Sequence, residues 1–142
     1  MKTILLVEDE QMLREAYQYL LTDYGYRVVT KSDGQQALDY LNHHQAPDLI
    51  LLDLLMPHMS GVEFLRATDV RQAYPTTVVI VFSNLSSPAK TSELLELGAS
   101  KHVVKAELGP SDLLQLVQSE LSARESAGHE PQPKPYFRHA HA

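Results

Sequence analysis

The sequence predicts an α/β domain in which five helices flank a five-stranded, doubly wound parallel sheet of order 2-1-3-4-5. Three observations carry this reading. Short runs rich in Ile, Val and Leu recur five times along the chain. The third and fourth of them are apolar without alternation, as strands covered on both faces are. Segments with helical spacing lie between the runs. Strands and helices in regular alternation pair in parallel through right-handed crossovers.

The elements follow in chain order. "TILLV" (3–7) is the first strand. The first helix carries Met12, Leu13, Ala16, Tyr17, Leu20, Leu21 and Tyr24 on one broad stripe, all read as core. "YRVVT" (26–30) is the second strand, and "GQQALDYLNHH" is a helix burying Ala37, Leu38 and Leu41. "DLILLD" (48–53) is the third strand. "SGVEFLRATDVRQAY" is one helix, opened by Ser60 as N-cap with Glu63 three residues on, a capping box. "TVVIVF" (77–82) is the fourth strand. The helix "SPAKTSELLELG" has Pro88 in its first turn and Gly98 as its stop. "KHVVK" (101–105) is the fifth strand, and Leu113, Leu114, Leu116, Val117 and Leu121 form the buried face of the last helix. After about Ala123 the periodicity ends. "RESAGHEPQPKPYFRHAHA" has alternate prolines and reads as extended or disordered, so the domain is expected over 1–122 and a tail or linker over 123–142.

Composition narrows the function. The 142 residues are 44% hydrophobic and 21% charged, ordinary for a single globular domain. There is no cysteine, which removes disulfides, thiolate metal sites and cysteine nucleophiles. A formal charge of -6 argues against direct nucleic-acid or anionic-membrane binding. No apolar run is long enough for a membrane span, and "MKTILLVEDEQ" lacks the features of a secretory signal. A cytoplasmic location is the expectation.

One residue breaks the pattern. "LILLDLLMP" sets Asp53 at the centre of an apolar run, where an unpartnered carboxylate costs several kcal/mol or more. The predicted topology offers it company. Ligands of open α/β sheets bind beyond the carboxyl ends of the strands. Glu8, Asp9 and Glu10 follow the first strand, Asp53 ends the third, Ser83 and Asn84 follow the fourth, and Lys105 ends the fifth. With strands 1 and 3 adjacent, Glu8, Asp9 and Asp53 converge at this edge. Carboxylates ~4 Å apart repel by about 4 kcal/mol per pair at an effective dielectric near 20. A divalent cation reverses that cost. An all-oxygen set with few protein ligands suits Mg²⁺, with Mn²⁺ as the alternative ion. Lys105 and the Ser83 hydroxyl then supply donors for a tetrahedral anion such as a phosphoryl group.

These residues resemble the receiver domain of two-component response regulators, a flavodoxin-like fold. The resemblance rests on "LLVEDE", "DLILLDLLMPHMSGVEFL", "VIVFSN" and "GASKHVVKAELGPSDLL", in that order and spacing, and covers residues 1 to about 122. It implies that Asp53 takes a phosphoryl group from a phosphohistidine on a histidine kinase or phosphotransfer protein. It implies that Asp9 binds Mg²⁺ directly, Glu8 through a water, and Leu55 through its main-chain carbonyl. Lys105, Ser83 and Asn84 would contact the phosphoryl group. Ser83 would swing inward, coupled to a ring at His102, where many members carry Tyr or Phe. The fourth helix, fifth strand and fifth helix would form the output surface for a partner that sequence does not name. A monomer, or a dimer formed on phosphorylation, is the expected state. Phosphoryl transfer of this kind makes the chain a phosphoacceptor rather than an enzyme.

Three positions depart from the common pattern. Glu8 stands for the more frequent Asp. Ala106 follows Lys105 where proline is common, leaving the geometry of that peptide open. Leu55 and Leu85 hold the two positions that tune self-dephosphorylation, and neither can orient a water, so a long-lived phosphoryl group is expected. Plainer roles compete: Ser83 as cap of the helix near Pro88, His102 as a half-buried packing residue, and solvated His43, His44, His139 and His141. A dehalogenase-type phosphatase would need an acid where Leu55 stands. A pseudo-receiver, binding partners without phosphorylation, is the alternative function. No P-loop or G-x-G-x-x-G turn is present. Whether the chain stands alone or is part of a longer regulator stays open at this point.

Overall fold

The computed structural model describes residues 1–84 and 87–129. Its sheet is parallel throughout, in the order β2-β1-β3-β4-β5, as the sequence predicts. The strands are β1 (Thr3–Val7), β2 (Arg27–Lys31), β3 (Leu49–Asp53), β4 (Val78–Ser83) and β5 (Lys101–Val104). The helices are α1 (Gln11–Tyr24), α2 (Gly34–His43), α3 (Gly61–Thr68), α4 (Val70–Ala73), α5 (Pro88–Glu96) and α6 (Pro110–His129). Every residue of β3 and β4 is buried, as their unbroken apolar runs require.

Alternation along the strands divides the core in two. Leu5, Val7, Ile50, Leu52, Val79 and Val81 face α2, α3 and α5. Ile4, Leu6, Leu49, Leu51, Ile80 and Phe82 face α1 and α6, where Tyr17, Leu21, Leu113, Val117 and Leu121 close over them. None of the described helices is long and apolar enough to cross a membrane.

Four details differ from the sequence reading. The third helical segment is two helices, because Asp69 adopts a left-handed conformation (φ 49°, ψ 55°). The Thr68 hydroxyl donates back to the carbonyls of Phe64 and Leu65, and the turn at Asp69 sends Val70 into the core. Asp is among the few residues that tolerate such a turn. The stripe on α1 is narrower than expected, since Met12 is 80% and Tyr24 54% exposed. Leu13, Tyr17, Leu20 and Leu21 point inward, whereas Met12 and Ala16 lie about 100° round the helix. Tyr24 ends the helix with its ring against Tyr26. The cap of α5 is Ser87, which accepts from the Lys90 N–H, so Ser83 has no capping role there. Finally, α6 runs to His129, beyond the boundary expected at 122. The remaining expected tail, 130–142 with His139 and His141, lies outside the described residues.

The capping box at α3 forms in both directions, Ser60 accepting from the Glu63 N–H and Glu63 from the Ser60 N–H. This cap seats the helix directly on the chain leaving β3. A methyl at Gly61 would meet the Asp53 carbonyl oxygen at 2.8 Å and the Leu54 Cα at 3.0 Å. Both are backbone atoms and cannot rotate aside. Gly61→Ala is therefore expected to destabilise the protein by about 1–3 kcal/mol, read as a lowered urea midpoint. An unchanged midpoint would show that the β3–α3 junction yields freely.

Candidate functional site

The alternation that builds the core also builds the site. Carried one step past Ile4 and Leu6, it brings Glu8 to the α1/α6 face at the carboxyl rim of the sheet. Leu49 and Leu51 lead to Asp53 on the same face, and Val103 leads to Lys105. The carboxylate oxygens of Glu8, Asp9 and Asp53 lie within 4.8 Å of one another. Glu8 is fully buried, Asp53 is 3% exposed, and Asp9 is open to solvent. Asp53 is thus at the end of its strand, as expected, yet it is not at a solvated edge.

Lys105 faces both buried acids. Its Nζ is 2.8 Å from Glu8 Oε1 and 3.5 Å from Asp53 Oδ2, and lies 5.3 Å from the Phe82 ring centroid. The contact with Glu8 Oε1 has ion-pair distance but not hydrogen-bond alignment, and among the described residues that oxygen has no other donor. Glu8 Oε2 accepts the Glu10 N–H at 3.0 Å. Arg14 reaches back from the first turn of α1 to the carbonyls of Glu8 (2.8 Å) and Asp9 (3.4 Å). Arg14 was not anticipated from sequence; its place six residues after Glu8 is the only signal it gave.

Electrostatics follow from burial. Desolvation, then the Glu8 charge, push the Asp53 carboxyl up to about 7, against the pull of Lys105. Burial alone would lower the Lys105 ammonium, but its close contact with Glu8 and the charges of Asp53 and Glu8 together raise it. The Tyr17 phenol is raised, chiefly by burial. One cation does not neutralise this cluster. Three converging carboxylates, one with an orphaned buried oxygen and one open to water, form an oxygen donor set that suits a hexacoordinate divalent ion keeping several waters.

The other expected residues surround this cluster. Leu55 is the second residue of the loop after β3, 60% exposed, and its N–H donates to Asp53 Oδ1 at 3.4 Å. Ser83 ends β4, 2% exposed, and Asn84 beside it is exposed. Lys105 does not end β5 but opens a single 3₁₀ turn, Lys105–Glu107, and its peptide to Ala106 is trans. Leu85 lies outside the described residues. His102 pairs with Val81 and so shares the opposite, α5-facing side with Ser83. The Ser83 hydroxyl and His102 Nε2 are 3.0 Å apart, and Thr91 Oγ1 on α5 is 2.8 Å from His102 Nδ1. Thr91 carried no signal in the sequence, because its contact depends on how α5 docks beside β5.

Comparison with known proteins agrees with this architecture. Response regulator RR06 of Streptococcus pneumoniae is 36% identical over 115 residues, 81% of this chain and 49% of the relative. Response regulator ArlR of Staphylococcus aureus is 37% identical over 118 residues, 82% of this chain and 50% of the relative. The chain thus spans about half the length of these curated relatives. Among solved structures, Vibrio cholerae chemotaxis protein CheY4 superposes with a TM-score of 0.76 at 33% identity, covering 84% of this chain and 98% of that one. A CheY-like receiver domain protein from Methanospirillum hungatei gives a TM-score of 0.80 at 26% identity, covering 89% and 98%. Residues 4–118 match the response regulator receiver domain, from the first strand into the last helix. A match that takes in all five strands and the carboxyl end of each leads to one conclusion: the chain belongs to the family of response regulator receiver domains of two-component systems.

Proposed function

We propose that Asp53 is the phosphoacceptor of a phosphorelay, loaded from a phosphohistidine on a histidine kinase or phosphotransfer protein. The observation that supports this most is the placement of a buried Asp53 between two further carboxylates and the Lys105 ammonium. In the transfer, an Asp53 carboxylate oxygen forms a bond to phosphorus as the phosphorus–nitrogen bond to the donor imidazole breaks. The electron pair of that bond leaves with the imidazole. A carboxylate needs no separate base for this step. Asp9, Asp53, the Leu55 carbonyl and, through a water, Glu8 would hold Mg²⁺. When bound, the ion offsets carboxylate repulsion and the charge of the phosphoryl oxygens. Lys105 draws Asp53 toward its ionised form and contacts the phosphoryl oxygens, with Ser83 and Asn84 beside them. Arg14 fixes the chain that carries Glu8 and Asp9. Ser83 moving to the phosphoryl group then changes the face made by α5, β5 and α6, to which an output partner docks or through which two copies pair.

The test is intact-protein mass after incubation with Mg²⁺ and a small phosphodonor such as acetyl phosphate. One added phosphoryl group is expected on the parent and none on Asp53→Asn. With Leu55 unable to orient a water, the adduct is expected to persist for minutes or longer. Loss within seconds would sink the argument from Leu55 and Leu85. No adduct from the small donor and from a panel of histidine kinases would sink the phosphoacceptor reading, leaving a pseudo-receiver.

A further inference from the structure

His102 uses both ring nitrogens, and each faces a hydroxyl on a different element. Ser83 Oγ lies 3.0 Å from Nε2 at the end of β4, and Thr91 Oγ1 lies 2.8 Å from Nδ1 on α5. Burial lowers the imidazole from its ordinary value, which favours the neutral ring. A neutral imidazole has one N–H donor and one bare acceptor nitrogen. The three side chains therefore form a chain of hydrogen bonds that all run in one direction, and two directions exist.

Phosphoryl oxygens only accept, so a serine bound to one must give it its single hydroxyl hydrogen. Ser83 can then keep its bond to His102 only as an acceptor. That requires a hydrogen on Nε2, which leaves Nδ1 bare. Among the described residues, the hydroxyl at Nδ1 is that of Thr91. We infer that Thr91 is a positioning residue for the phosphorylated state, acting through His102: its hydroxyl donates to Nδ1, Nε2–H donates to Ser83, and Ser83 donates to the phosphoryl group on Asp53. This rests on the phosphoacceptor reading above and adds to it a residue and a bond direction.

Two consequences follow. A ring with hydrogen-bonding nitrogens at both ends ties the phosphoryl site to α5 through directed bonds, where a phenylalanine in its place would act by packing alone. Any inward movement of Ser83 draws His102 with it, and Thr91 either follows or loses its partner, so the docking of α5 senses the state of Asp53. The direction is also cooperative, since each donor in the chain polarises the next.

The probe is beryllofluoride with Mg²⁺, a stable mimic of the aspartyl phosphate, on the full chain. Bound fluoride resonances report adduct formation, and nitrogen-15 shifts of His102 report its tautomer. In the adduct, Nε2 is expected to carry the hydrogen and Nδ1 to be bare. Thr91→Val, nearly the same shape but with no donor, is expected to weaken beryllofluoride binding about five- to tenfold, since it strands an acceptor. Thr91→Ser is expected to restore it to within about twofold. A hydrogen on Nδ1 in the adduct, as the other tautomer or as imidazolium, would overturn the inference. Parent-like binding by Thr91→Val would overturn it as well. Absence of bound fluoride in the parent would instead remove the phosphoacceptor reading, and the inference with it. The tautomer in the parent adduct needs no variant, so a poorly folding Thr91→Val leaves the test intact.

Discussion

Asp53→Asn is expected to stabilise the metal-free protein at pH 8 while it abolishes phosphoryl uptake. The two effects have one origin. Burial and the neighbouring Glu8 charge hold the Asp53 carboxyl near 7 in the folded chain, well above its ordinary 3.8. Below about pH 4 the group is protonated in both folded and unfolded chains and costs nothing. As pH rises from about 4 through 7, the unfolded chain releases this proton while the folded chain retains it. Stability falls across that window and levels off above it. A gap of this size corresponds to roughly 4 kcal/mol at pH 8. Asparagine has nearly the same shape and no charge, so the variant escapes the loss. The excess stability of Asp53→Asn should therefore shrink toward zero as the pH is lowered to about 4. Saturating Mg²⁺ should stabilise the parent by binding only the folded state and the variant much less, because one ligand is gone. Urea unfolding at pH 5 and pH 8, with and without Mg²⁺, reads all four values. Equal metal-free stabilities at pH 8 would mean that Asp53 carries no unfavourable charge in the fold.

That strain was legible in the sequence from one residue. A charge inside "LILLDLLMP" has no structural use, and the alternation of strands and helices told which other strand ends would meet it. Order 2-1-3-4-5 and the meeting of Glu8, Asp9, Asp53 and Lys105 follow from patterns only a few residues long. What stayed hidden depends on docking angles and single dihedrals. Glu8 and Asp9 are adjacent and chemically alike, yet one is sealed and the other solvated, because successive residues leave a strand on opposite sides. The break at Asp69 turns on one left-handed residue in a stretch with good helical spacing. Met12 and Ala16 fit an apolar stripe as well as Leu13 and Tyr17 do, yet the docking of α1 leaves them exposed about 100° round the helix. Ser83 was the candidate cap from sequence; the structure puts Ser87, directly before Pro88, in that role instead. Thr91 was invisible because its partner lies on a strand that it meets only after folding.

Lys105→Met is expected to destabilise the metal-free protein at pH 8 by about 3–5 kcal/mol, the loss typical when one partner of a buried ion pair is removed. Methionine keeps most of the stem that packs near Phe82, so the change isolates the charge. Without the ammonium, fully buried Glu8 and nearly buried Asp53 face each other with no cation between them. Protonation of one carboxyl then becomes the cheapest relief, and the pH window in which stability is lost moves upward. The decisive comparison is the double variant Lys105→Met with Asp53→Asn. If Lys105 acts by neutralising the pair, removing one carboxylate should recover a large part of the loss, giving a coupling of roughly 1–3 kcal/mol in a double-mutant cycle. Mg²⁺ should recover part of it in the single variant, since a divalent ion supplies the missing positive charge to the same oxygens. Strict additivity of the two substitutions, with no rescue by Mg²⁺, would mean that Lys105 stabilises the fold through its stem. The acid cluster would then be held together by the Arg14 and backbone contacts alone.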